Sequence, residues 1–141
     1  MIRIFVPVAI VLAGCSTPIQ RTYPHVDQSH LWTAMVATAD SPEYGSEDLS
    51  KRWIVLENEV EINPSRGQID VKRIIYRSYQ LPRQKPERDS RDVLFSVYLL
   101  PTNPLTLEFI NHNATFFPVR GKAEAQRFFD GVDQMLVPII D

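Results

Sequence analysis

WIVLENEVEINPSRGQIDVKRIIYRSYQL, residues 53–81, is the stretch that decides the fold class. Within it the hydrophobic period is two. Ile54, Leu56, Val60 and Ile62 fall on one side of an extended chain, and Glu57, Glu59 and Glu61 on the other, which describes a half-buried strand with a wet face. Asn63-Pro64-Ser65-Arg66-Gly67 is turn chemistry, and the run Ile69 to Leu81 is rich again in branched and aromatic residues, so the two runs read as an antiparallel hairpin. Setting Ile62 opposite Ile69 places Val60 against Val71, Glu59 against Lys72, Asn58 against Arg73 and Leu56 against Ile75. That register pairs like with like almost throughout.

On the N-terminal side, Asp27 stands where a helix cap belongs, and Leu31, Trp32, Met35, Val36 and Ala39 follow at helical spacing, which predicts a helix over 28–39. The acidic stretch Ser41 to Asp48, with Pro42 and Gly45, ends it. On the C-terminal side, the charged, proline-containing segment Gln80 to Arg91 separates the hairpin from Val93 to Leu100, which is apolar on both alternations and reads as a central strand. Pro101-Thr102-Asn103-Pro104 turns the chain into a strand carrying Leu105, Leu107 and Phe109, and Ala114 to Val119 reads as a short further strand. A closing helix over Lys122 to Val137 presents Ala125, Phe128, Phe129, Val132, Met135 and Leu136 as one stripe. The expected class is therefore α+β: an antiparallel sheet of four to five strands with an N-terminal and a C-terminal helix packed on one face.

The chain has 141 residues, 15 basic and 17 acidic side chains and a net charge of −2. That balance argues against nucleic acid as a partner. Cys15 is the single cysteine, so an intramolecular disulfide and a cysteine-based zinc site are both excluded. Residues 27–141 suffice for one domain with one core.

The N-terminus has its own pattern. Arg3 precedes an apolar run from Ile4 to Ala13, which stops at Leu12-Ala13-Gly14-Cys15-Ser16; the run is too short to span a bilayer. This segment resembles the signal peptide of bacterial lipoproteins, with Leu-Ala-Gly-Cys as the lipobox. The resemblance implies that residues 1–14 are removed and that Cys15 carries a diacylglyceryl thioether and usually an acylated amino group, which together hold the protein stably on a membrane. Ser16, in place of an inner-membrane retention aspartate, implies the periplasmic face of the outer membrane. Residues 15–26 would then be the lipidated cysteine and a tether, with Pro18 and Pro24 and no periodicity, reaching about 35 Å when extended.

Within the domain, the glutamates at 57, 59 and 61 splay along a strand and read as a solvated face rather than a calcium site. His25, His30 and His112 lack metal-binding spacings, and no Gly-x-Ser-x-Gly is present; no cofactor, metal or catalytic residue is assigned. Trp53, Tyr76, Tyr79 and Tyr98 read as sheet packing. Asn58 and Arg73, polar positions in apolar alternations, read as a strand end emerging into solvent. The sharpest asymmetry lies between Lys72 and Arg91, with seven basic side chains against Glu87 and Asp89. Arg73, Arg77, Arg83, Lys85, Arg88 and Arg91 are its candidate partner-binding residues. The reading that results is a non-catalytic binding or scaffolding module of the cell envelope, held to the membrane by lipid and facing an envelope protein or an anionic envelope component. A carrier of a small apolar ligand and a hydrolase built on His112 are the alternatives.

Overall fold

In the computed structural model, which describes residues 17–113 and 118–137, the period-two stretch forms β2 (Ile54–Asn63) and β3 (Gln68–Tyr79). The expected register holds at Ile62–Ile69, Val60–Val71, Glu59–Lys72 and Asn58–Arg73. It breaks at Leu56. A bulge between Val55 and Glu57 sets Val55, not Leu56, against Ile75, and a one-residue slip moves every side chain before it to the other face. Leu56 and Ile54 are therefore 59% and 60% exposed, while Val55 and Trp53 turn inward against the core.

The connecting turn is a single 3₁₀ turn, Pro64–Arg66, closed by Gly67 in the left-handed region at φ 60°. A β-carbon on Gly67 would lie 2.9 Å from the Leu99 carbonyl oxygen, which is backbone and cannot swing away. Gly67→Ala is expected to destabilise the domain by about 2 kcal/mol, from the left-handed conformation and the overpacking together. Gly45→Ala, where nothing lies within 4 Å of the added carbon, is expected to stay within about 1 kcal/mol of the parent. Urea midpoints for the two variants test the contrast.

β4 spans Glu87–Leu100 and β5 spans Leu105–Asn111. β4 starts six residues before the expected Val93, because the charged run Glu87 to Asp92 continues the ladder with β3, setting Arg77 opposite Asp89 and Ile75 opposite Arg91. The strand order is β1-β5-β4-β3-β2, all antiparallel. β1 is Ile19–Tyr23, inside the stretch read as tether. It pairs Ile19 with Phe109 and Tyr23 with Leu105, and Arg21 fastens it to the C-terminal helix through Asp133 at 2.7 Å and the Phe129 ring at 4.9 Å. Of the strand expected over 114–119, residues 114–117 lie outside the described residues, and Pro118 instead opens a helix.

That helix, α2 (Pro118–Leu136), and α1 (Gln28–Asp40) cover one face of the sheet. Asp27 caps α1 as expected, its carboxylate accepting from the His30 N–H at 3.3 Å. Alternate residues of the sheet, Ile69, Val71, Val93, Phe95, Val97, Leu99, Leu107 and Phe109, meet Leu31, Met35, Ala39, Ala125, Phe128, Phe129 and Val132 from the helices. Phe95 and Phe109 stack at 4.7 Å, with Phe128 edge-on to Phe95 at 5.8 Å. The rings fill the space beneath α2 with one another, each ring pair contributing about 1 kcal/mol beyond its burial. The two helices approach closely at Gly131, where a β-carbon would meet Thr38 Cγ2 at 2.6 Å.

Candidate functional site

Arg73 lies on the helix-facing side of β3 and is 3% exposed. It does not emerge into solvent, and neither does its partner. Its guanidinium is met on three sides: Nε donates to Asn58 Oδ1 at 2.8 Å, Nη1 to Tyr44 Oη at 3.0 Å and Nη2 to the Ala39 carbonyl at 3.1 Å. Asn58 Nδ2 donates to the same carbonyl at 2.9 Å. Ala39 stands in the last turn of α1, whose carbonyls have no partner within the helix, so the polar pair in the sheet caps the end of the helix above it. Glu124 of α2 completes the node, 3.6 Å from Arg73 Nη1 and accepting from Tyr44 Oη at 2.5 Å. Burial and the Glu124 carboxylate push the Tyr44 phenol well above its usual range, with Arg73 partly offsetting them.

Outward from this node the arrangement becomes accessible. Arg127 pairs with the second oxygen of Glu124 at 2.7 Å and stacks on the Tyr44 ring at 4.3 Å. Trp53, just before β2, carries Arg77 at 4.6 Å and Arg91 at 4.4 Å from its ring centre. Asp89 lies 3.2 Å from Arg77 and 3.8 Å from Arg91, and Arg77 also donates to the Ser50 carbonyl. Between these groups and the first turns of α2 is a cleft of about 330 Å³, lined by Arg91, Arg120 and Arg127 with Tyr44 and Trp53, and by the two acids Asp92 and Glu124. Burial lowers the Arg91 pKa below the ordinary guanidinium value, and the positive fields of Arg120 and Arg77 add to that against Asp89. Arg91, Arg120 and Arg127 outnumber Asp92 and Glu124 around the cleft, a balance that favours an anion. A larger hollow of about 520 Å³ between α1 and α2 has Glu43, Asp130 and neutral side chains along with Arg73 and Arg127; its mixed charges converge on no one ligand type.

The open face of the sheet holds a second polar group. Ser96 is 2% exposed and opposite Asp70. Its hydroxyl donates to Asp70 Oδ1 and lies 2.7 Å from His112 Nε2. The serine has one proton, and Asp70 holds it, so the histidine nitrogen donates to the serine instead of removing its proton. Asp70 is further held by the Gln68 amide at 3.0 Å. This is the reverse of the order in which a histidine base activates a serine nucleophile. The three side chains link β3, β4 and the residue that follows β5.

Of the sequence's candidate residues, Arg77 and Arg91 come together on Trp53, and Arg73 is structural. Arg83 and Lys85 on the β3–β4 turn and Arg88 at the start of β4 stand apart, exposed. Cys15 lies outside the described residues. Tyr44, Trp53, Arg120 and Arg127 were not read as site residues: they come from three separate segments, the loop after α1, the residue before β2 and α2, and only the docking of α2 brings them to one place. Among the described residues no group of His, Cys, Asp or Glu stands where it would hold a metal ion, and no helix is long and apolar enough to cross a membrane.

No family model matches the chain, and no curated protein matches it. Among solved structures it is similar to the X-ray crystal structure of protein CV1439 from Chromobacterium violaceum, at 12% identity over 87% of this chain and 98% of that one, with a TM-score of 0.43.

Proposed function

We propose that this chain is a lipid-anchored, non-catalytic binding module of the bacterial cell envelope, on the periplasmic face of the outer membrane, and that it holds an anionic envelope component in the arginine-lined cleft. The observation that carries the binding role is the set of arginines at 91, 120 and 127 around one cleft floored by Trp53 and Tyr44. A guanidinium fixed by stacking presents its remaining donors in one plane, which suits a carboxylate or phosphate better than a mobile ammonium does. The anchoring role is supported by the Leu-Ala-Gly-Cys sequence ending at Cys15. The ring contacts among Phe95, Phe109, Phe128 and Phe129 occupy the place where an apolar cargo would sit, which favours binding at the cleft over carriage within the core.

The test is photo-cross-linking in intact cells, with a photoreactive residue at Ser90 on the cleft wall or at Glu59 on the far edge of the sheet. An adduct of one mass at position 90, absent at position 59 and reduced at least tenfold by Arg91→Glu, is the expected result. Adducts of the same kind and yield at both positions, or an adduct at 90 indifferent to Arg91→Glu, overturn the proposal.

A further inference from the structure

β1 shortens the leash. Only residues 16–18 separate Cys15 from Ile19, which is already paired with Phe109 in the sheet, so the lipidated residue lies within about 14 Å of Ile19 whatever path the chain takes. Direction matters as much as length. β1 is antiparallel to β5, and β5 to β4, so β1 and β4 run the same way and begin at the same end of the sheet. Ile19, Phe109, Val97 and Ile69 lie side by side across four strands. From that level β4 extends back to Glu87, and β3 on to Tyr79, about 33 Å at the rise of a strand. The β3–β4 hairpin therefore reaches well past the point at which the anchor enters. An upright domain with this end toward the bilayer would drive the hairpin into hydrocarbon.

The composition of the hairpin tip fits the place this gives it. Arg83, Lys85 and Arg88 are exposed, Glu87 at the first position of β4 is the one acid among them, and Leu81 is 41% exposed beside them. Asp89, the next acid along β4, is engaged by Arg77 and Arg91. A basic tip with an apolar residue is suited to headgroups and the acyl boundary beneath them.

We infer that the β3–β4 turn, through Arg83, Lys85 and Arg88, is a second membrane contact, which lays the domain along anionic phospholipid headgroups of the bilayer that holds its own lipid anchor. The inference rests on the lipoprotein reading. An acyl anchor and a basic patch together form the two-signal arrangement that fixes peripheral proteins, and here the second signal also fixes orientation. The lipid determines that the domain is at the membrane, and the turn determines which side of it faces the membrane.

Because Cys15 is the single cysteine and is consumed by the lipid, Gln84→Cys in the full-length protein extracted from membranes gives one labelling site, exposed and at the tip. An environment-sensitive fluorophore there is read in vesicles of phosphatidylcholine alone and in vesicles with one third phosphatidylglycerol, using headgroup-attached quenchers. The expected result is strong quenching in the anionic vesicles, at least threefold weaker quenching in neutral ones, and loss of the difference in Arg83→Glu/Lys85→Glu/Arg88→Glu. Equal accessibility to an aqueous quencher in both vesicles overturns the inference and leaves the anchor standing. An unmodified Cys15 by mass spectrometry, with no sedimentation on either vesicle, overturns the lipoprotein reading and this inference with it.

Discussion

Arg73→Met is expected to lower the unfolding free energy by about 3–5 kcal/mol, a large part of the 5–15 kcal/mol that holds a domain of this size together. The size of the effect comes from what stays behind. Methionine fills most of the volume of the arginine stem, so cavity formation is a minor part. Glu124, whose side chain is 13% exposed, loses the buried one of its two cationic partners and keeps Arg127, Tyr44 Oη and Asn58 Oδ1 lose a donor, and the Ala39 carbonyl keeps Asn58. A buried acceptor without its donor carries the full desolvation penalty. Arg73→Met/Glu124→Gln should therefore recover part of the loss, because the carboxylate left with Arg127 as its one cationic partner is gone, and the two substitutions should be non-additive. Urea unfolding of the parent, both single variants and the double variant closes the cycle. A loss below about 1 kcal/mol for Arg73→Met, or strict additivity, would mean that water replaces the guanidinium and that the node does not hold α1, β3 and α2 together.

The same node shows what the sequence made legible. That Asn58 and Arg73 face each other followed from the hairpin register, since a turn of known chemistry between two period-two runs leaves few alternatives. Their meaning did not follow, because the acceptor they share is a backbone carbonyl of α1, and backbone acceptors have no sequence signature. The bulge at Leu56 was hidden for a related reason: period-two arithmetic assumes one residue per partner, and nothing in Val-Leu-Glu announces an extra one. β1 was read as tether because an edge strand of five residues with polar Gln20, Arg21 and Thr22 has too little apolar area to be seen alone. It is recognisable only against β5, which supplies its partners, and against Asp130 and Asp133 on α2, which meet Arg21. The charged run at the start of β4 misled similarly, since its alternation is of charge and not of hydrophobicity. The fold class, both helices, the Asp27 cap and the α2 stripe at Ala125, Phe128, Phe129 and Val132 rest on patterns within single segments, and these were readable from the residues, whereas Met135 of that stripe is 46% exposed. The cleft rests on the convergence of the Tyr44 loop, Trp53, β4, β5 and α2, and was not readable.

Alkaline pH should unfold this domain through its phenols. Tyr44 and Tyr23 are 5% and 6% exposed, and both are raised above the usual phenol range, Tyr44 by burial and then Glu124, Tyr23 by burial and then Asp133. A folded-state pKa above the unfolded value means that the folded form keeps the proton longer. Below about pH 10 both states are protonated and the phenols add no pH dependence; above it the unfolded chain ionises first, and stability falls by up to about 1.4 kcal/mol per pH unit for each tyrosine. Two such groups acting together would remove roughly 5 kcal/mol over two units, comparable to the loss of Arg73 and enough to bring the domain to its midpoint. The decline should begin near the unfolded phenol value, with no counterpart at neutral pH. Tyr44→Phe separates the two contributions: it sacrifices the hydrogen bonds to Glu124 and Arg73 at neutral pH, yet it should halve the slope above pH 10 because one of the two titrating groups is gone. Unfolding curves at intervals from pH 8 to pH 12, followed by phenolate absorbance and by circular dichroism, report both quantities at once. Because the chain has five tyrosines, the Tyr44 signal is the part of the phenolate absorbance that Tyr44→Phe removes; if that part rises near pH 10 while the fold persists, the ring ionises in place, and the node around Arg73 would then have to be open to water.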